Sequence, residues 1–175
     1  MPLPPPPSSP PPPYPHSREA LSLNWPFLRS LLGGLRISQL VAGAVCWITL
    51  AAHKYEGATY FAVFAAVLVW LLTLAIFGLC LVGRWALVPG LGSRWLITNI
   101  VHDLLFGVVL FTAAAGIMGH KAQSVSYCNV SAYKFPCSYS AYLSAAVFAG
   151  IAAILYLLSG LCCLIRRSQG HNDII

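Results

Sequence analysis

Charge is scarce in this chain. Aspartate and glutamate together occur 4 times in 175 residues, and charged residues of both signs make up 8% against 58% hydrophobic. That balance lies outside the range of water-soluble domains. Asp103 is the only acid inside a long apolar run. Catalytic constellations are missing as well. No serine or cysteine nucleophile is matched with a base and an orienting acid at a sensible membrane depth, and His16, His53, His120 and His171 sit in tails or at helix ends. No glycine-rich stretch follows a strand or carries the lysine of a phosphate-binding loop. An enzyme, a resident metal or cofactor and a nucleic-acid partner are therefore not expected. Nothing before Ile37 has the apolar core of a secretory signal peptide, so insertion is expected to begin with the first span.

What the chain does have is four long apolar runs, at about 37–55, 60–83, 95–118 and 141–165. A helix needs about 20 mostly apolar residues to cross a bilayer core, and four helices apolar all round must face lipid and each other. The expected fold class is an all-α membrane protein, a four-helix transmembrane bundle with M-shaped topology. The net charge of +6 then reports orientation. Arg18, Arg29, Arg36, Arg84, Arg94, Arg166 and Arg167 lie on one side, and Lys54, Lys121 and Lys134 on the other. Seven against three places both termini and the middle loop in the cytosol. Trp85 and Trp95 at the inner boundary, with Tyr55, Tyr60 and Tyr142 at the outer one, are expected as interfacial anchors.

Ten of the 13 prolines fall in the first fifteen residues, making 1–25 a polyproline-type tail that cannot pack a core. Pro11-Pro12-Pro13-Tyr14 has the form read by WW domains. The following stretch, with Arg29 and Arg36, is expected in the inner headgroup layer. The spanning domain covers 26–167, and 168–175 forms a short second tail. The longest outer loop carries Cys128 and Cys137, on the oxidising side by the charge count and spaced for a disulfide. Asn129-Val130-Ser131 is a glycosylation sequon there. Cys162 and Cys163, beside Arg166-Arg167, are palmitoylation candidates. Span four has Ala141, Ala145, Ala149 and Ala153 at intervals of four, a stripe on which a helix of this bundle or of a second copy can lie.

Asp103 lies roughly 12 Å into the bilayer at 1.5 Å per residue, near the midplane, where an ionised carboxylate is costly. Asn99 and His102 share its face, and Thr73 and Ser159 lie at matching depth. Two readings follow. One is a polar clasp holding helices together, in which case Asp103→Asn should be tolerated. The other is a small channel or proton-coupled carrier using Asp103 and His102.

Several stretches carry a family resemblance: Pro26-Phe27-Leu28-Arg29-Ser30, Leu87-Val88-Pro89, Leu91-Gly92-Ser93-Arg94-Trp95, Val101-His102-Asp103, Gly116-Ile117-Met118, and Ser126-Tyr127-Cys128-Asn129 with Pro136-Cys137. With a minimal first outer loop and a cysteine pair in the second, the chain resembles the MARVEL family of vesicle-traffic proteolipids from about Pro26 to Arg167. The long first loop of claudins and the Cys-Cys-Gly loop of tetraspanins are absent. The resemblance implies a non-enzymatic role organising membrane patches, vesicle traffic or junctions in plasma or vesicle membranes. It further implies association with microtubules, restraint of proliferation and migration, and a nuclear pool.

Overall fold

The computed structural model describes residues 24–53, 57–82, 94–129 and 138–170. Among them every regular element is helical. A short helix α1 (Trp25–Arg29) precedes α2 (Leu31–Ala51) and α3 (Ala58–Leu81). The third span runs from Trp95 to Ser124 as α4 (Trp95–Val101), a π-helical segment (His102–Val108) and α5 (Val109–Ser124). A 3-10 turn (Ser126–Asn129) follows, and α6 (Tyr139–Ser168) completes the bundle. Four helices, Leu31–Ala51, Ala58–Leu81, Trp95–Ser124 and Tyr139–Ser168, are long and apolar enough to cross a membrane. The first begins six residues earlier than the apolar run beginning at Ile37, because Ser30 caps it by accepting the Gly33 N–H at 3.1 Å. That cap draws Arg36 inside the helix.

The helices close a ring in which α2 touches α3 and α6, and α5 touches α3 and α6. Their inner faces are lined by small residues. Ala62, Ala65 and Ala66 of α3 and Ala145, Ala149 and Ala152 of α6 are at most 1% exposed, so backbones approach closely. The Ala141–Ala153 stripe faces into this bundle. Large side chains such as Phe64, Leu105, Val109, Ile154 and Ile165 point outward, as lipid contact requires.

The third span is the irregular one. Asn99, Asp103, Gly107 and Phe111 all point inward, a strict spacing of four. Residues four apart drift by about 40° per step around an α-helix, and the wider π turn over His102–Val108 offsets part of that drift in this row. Two glycines on opposite helices fit the segment to α6. Gly107 receives the Tyr156 ring, and a Cβ on Gly160 would lie 2.6 Å from Leu104 Cδ2. Gly116, Gly119 and Gly150 instead meet open space.

At the end where α1 sits, Phe27, Leu32, Cys80, Trp95, Ile100 and Cys163 form a second buried cluster. Phe27 lies 6.0 Å from Phe77, centroid to centroid, and the Asn24 N–H donates to the free Leu81 carbonyl at the end of α3 at 2.9 Å. Two expectations are corrected here. Trp95 and Tyr142 are buried rather than interfacial, at 3% and 9% exposure, because Trp95 packs into the cluster around Phe27 and Tyr142 into the main core of the bundle. Tyr60 is exposed, while Tyr55 and Trp85 lie outside the described residues.

Candidate functional site: a buried ion pair across four spans

Asp103 is not matched to neutral partners alone. Arg36, expected in the headgroup layer, points into the bundle and is 2% exposed. Its guanidinium grips the carboxylate with both terminal nitrogens, Nη1 to Oδ1 at 2.5 Å and Nη2 to Oδ2 at 3.1 Å. Planar two-point pairing is the geometry an arginine fork makes best. The same nitrogens donate to Gln39 Oε1 at 2.9 Å and Asn99 Oδ1 at 2.6 Å. Those amides are held in turn, since Gln39 Nε2 donates to the Leu155 carbonyl at 3.2 Å and Asn99 Nδ2 to the Trp95 carbonyl at 3.0 Å.

The network extends past the carboxylate. His102 Nδ1 lies 2.9 Å from Asp103 Oδ1, and because a carboxylate only accepts, that nitrogen donates. His102 Nε2 faces Thr73 Oγ1 at 3.4 Å, and Tyr156 Oη is 2.5 Å from the same hydroxyl. Tyr156 also stacks on Phe111 at 5.5 Å and meets the His102 ring edge-on at 5.8 Å. Every spanning helix contributes: Arg36 and Gln39 from α2, Thr73 from α3, Asn99, His102 and Asp103 from the third span, Tyr156 and the Leu155 carbonyl from α6. Ser159 is buried against Asp103 but does not reach hydrogen-bond geometry.

Arg36 and Asp103 cancel each other's charge, and most of the polar atoms around them have partners. Both terminal nitrogens of the guanidinium and both carboxylate oxygens are taken up inside the bundle. Such a set can hold helices in one register. Among the described residues no three His, Cys, Asp or Glu side chains converge as a metal set.

Sequence reasoning brought Asn99, His102 and Asp103 to one face but missed Arg36, Gln39 and Tyr156. The available signal was the Ser30 cap, which starts the helix before Arg36 and puts it three residues from Gln39 on the face of Ala42 and Cys46. Moving Arg36 into the membrane leaves six basic residues (seven minus one) on its side against three on the other, so the orientation argument keeps its sign. Of the cysteines, Cys163 is buried and Cys162 only partly so, because Cys163 faces the α1-end cluster. Cys128 lies in the 3-10 turn. Cys137, the Pro11–Tyr14 motif and most of the sequon lie outside the described residues.

A profile of MARVEL, the membrane-associating domain, matches residues 27–162. The chain belongs to the MARVEL family. The match begins at Phe27, inside α1, and covers the first three spans whole and the fourth as far as Cys162. The chain is similar to MARVEL domain-containing protein 1 of Danio rerio, with 47% identity over 150 residues, 85% of this chain and 92% of that one. No solved structure matches it. In this MARVEL domain, the buried ion pair is the polar centre around which the four spans meet.

Proposed function

We propose that the protein is a non-enzymatic organiser of membrane patches, vesicle traffic or junctions, and that its four spans act as one locked body. The observation that carries this reading is the Arg36–Asp103 pair, braced by Gln39, Asn99 and His102. A charge pair so fully engaged suits a scaffold more than a pathway. The outward surface of the spans is almost wholly apolar, as expected of a body that acts through lipid and through other membrane helices. Both termini face the cytosol in this reading. Microtubule association and restraint of proliferation and migration are finer roles, supported by the similarity to MARVEL domain-containing protein 1; residence in plasma or vesicle membranes and a nuclear pool are proposed on the same footing.

Its peripheral features serve that scaffold. A Cys128–Cys137 bond closes the outer loop, Asn129 carries a glycan, and Cys162 is the acylated cysteine, since Cys163 is turned inward. Pro11-Pro12-Pro13-Tyr14 offers a WW-domain ligand in the cytosol. The rival carrier reading draws on the hydrogen-bonded chain from Asp103 through His102 and Thr73 to Tyr156. It is the weaker of the two, because both Asp103 oxygens are already held by Arg36.

Locating a terminally tagged copy in cells and recovering neighbours by proximity labelling tests the organiser reading. The expected neighbours are membrane-traffic, junction or cytoskeletal proteins, with tags that stain only after permeabilisation. A tag stained on intact cells refutes the orientation, and neighbours drawn at random from the membrane refute the role.

A further inference from the structure

The end of the bundle that carries α1 is basic, apolar and rigid at once. Phe27 is sunk into the bundle at 2% exposure, and Asn24 and Ser30 lock the two ends of α1 by hydrogen bonds to Phe27. The α1–α2 corner is equally fixed, because Gly33 packs against the Phe27 carbonyl with no space for a side chain. With Phe27 inward, the same short helix and corner turn Trp25 and Leu31 outward at 59% and 67% exposure, with Arg29 exposed between them. Arg94 adjoins Trp95, and Arg167 lies one turn beyond Cys163, so the cluster around Phe27 ties all three arginines to one end. Arg29, Arg94 and Arg167 are exposed and make no ion pair among the described residues, where the sole carboxylate is the buried Asp103. The tails bring Glu19 and Asp173, too few to reverse the sign of that end.

We infer that this rim binds anionic phospholipid headgroups, with α1 as a fixed in-plane wedge. Trp25 occupies the headgroup zone, Leu31 the acyl boundary, and Arg29, Arg94 and Arg167 meet lipid phosphates and carboxylates. An amphipathic segment with an aromatic and basic residues lies naturally at that depth, and each basic side chain near an anionic leaflet contributes a gain of about fivefold. Phe27 sets the wedge's angle. The inference goes beyond the organiser role by naming the lipid class the scaffold would gather, and it does not depend on which way the protein is inserted.

The test uses full-length protein in phosphatidylcholine vesicles containing a minor share of phosphatidylserine on both leaflets. Spin-labelled phosphatidylserine and phosphatidylcholine report how much of each lipid is held at the protein surface. The expected result is a preference for phosphatidylserine that falls at least fivefold in R29Q/R94Q/R167Q, is kept in R29K/R94K/R167K, and weakens on adding salt to the wild type. Lys121→Gln, at the other end, should leave it unchanged. Equal retention of the two lipids overturns the inference, as does a preference that survives the glutamine triple or is indifferent to salt. Binding of polyglutamate to protein in pure phosphatidylcholine, without phosphatidylserine preference, would assign the rim to an acidic protein instead.

Discussion

Neutralising either member of the buried pair should be more damaging than neutralising both. Asp103→Leu leaves the Arg36 guanidinium in the membrane with only the amide oxygens of Gln39 and Asn99. A lone arginine at that depth costs about 2.5–3.5 kcal/mol on insertion scales, and breaking a buried pair from one side costs about 3–5 kcal/mol in soluble proteins. A loss of about 3 kcal/mol lowers the folded-to-unfolded ratio by roughly a hundredfold. Arg36→Leu strands the carboxylate in the same way, although His102 remains to donate to it. Arg36→Leu with Asp103→Leu removes both charges. What then remains is the loss of the Gln39, Asn99 and His102 bonds, about 0.6 kcal/mol each on membrane scales. The double variant should therefore recover about 1 kcal/mol relative to either single one. Asp103→Asn keeps the shape but strands the guanidinium charge, so it too should be destabilised, contrary to what neutral partners alone would suggest. Unfolding in mixed micelles supplies the free energies, and surface level in cells supplies a second readout. A double variant no more stable than the worse single, or singles that match wild type, would refute the pairing argument.

Other outcomes follow from the packing. Gly107→Ala drives a methyl into the Tyr156 ring and should cost about 1–3 kcal/mol, while Gly150→Ala, which meets open space, should change unfolding little. Mass mapping under non-reducing conditions should recover the Cys128 and Cys137 peptides linked, and both as free thiols would end that claim. Acyl exchange should label wild type and Cys163→Ala but not Cys162→Ala, given the burial of Cys163; the reverse pattern would show that the inner end of α6 opens.

The four spans were legible because length and unbroken apolarity suffice to specify them, and the observed helices overlap every run. Their inward faces were harder to read, since a helix apolar on all sides gives periodicity little contrast. Arg36 was misplaced for a related reason. At the edge of an apolar run an arginine counts as a topology signal, and only the Ser30 cap moves it inside. The lone Asp103 announced a polar centre but not its cationic partner, because the two are 67 residues apart. The strict fours of Asn99, Asp103, Gly107 and Phe111 did not announce the π segment, since Ala141, Ala145, Ala149 and Ala153 keep the same spacing on the regular helix α6. Trp95 looked interfacial because a tryptophan beside a basic loop usually is; here it packs into the buried cluster of Phe27, Cys80, Ile100 and Cys163.

Whether the buried network is a lock or a path for protons is decided by flux. Wild-type protein in liposomes under an imposed pH gradient should leak no faster than protein-free liposomes, because Arg36 holds both Asp103 oxygens and the spans stay closed around them. A proton current in the wild type, lost in the folded double-leucine variant, would contradict the account and make Asp103 and His102 parts of a carrier.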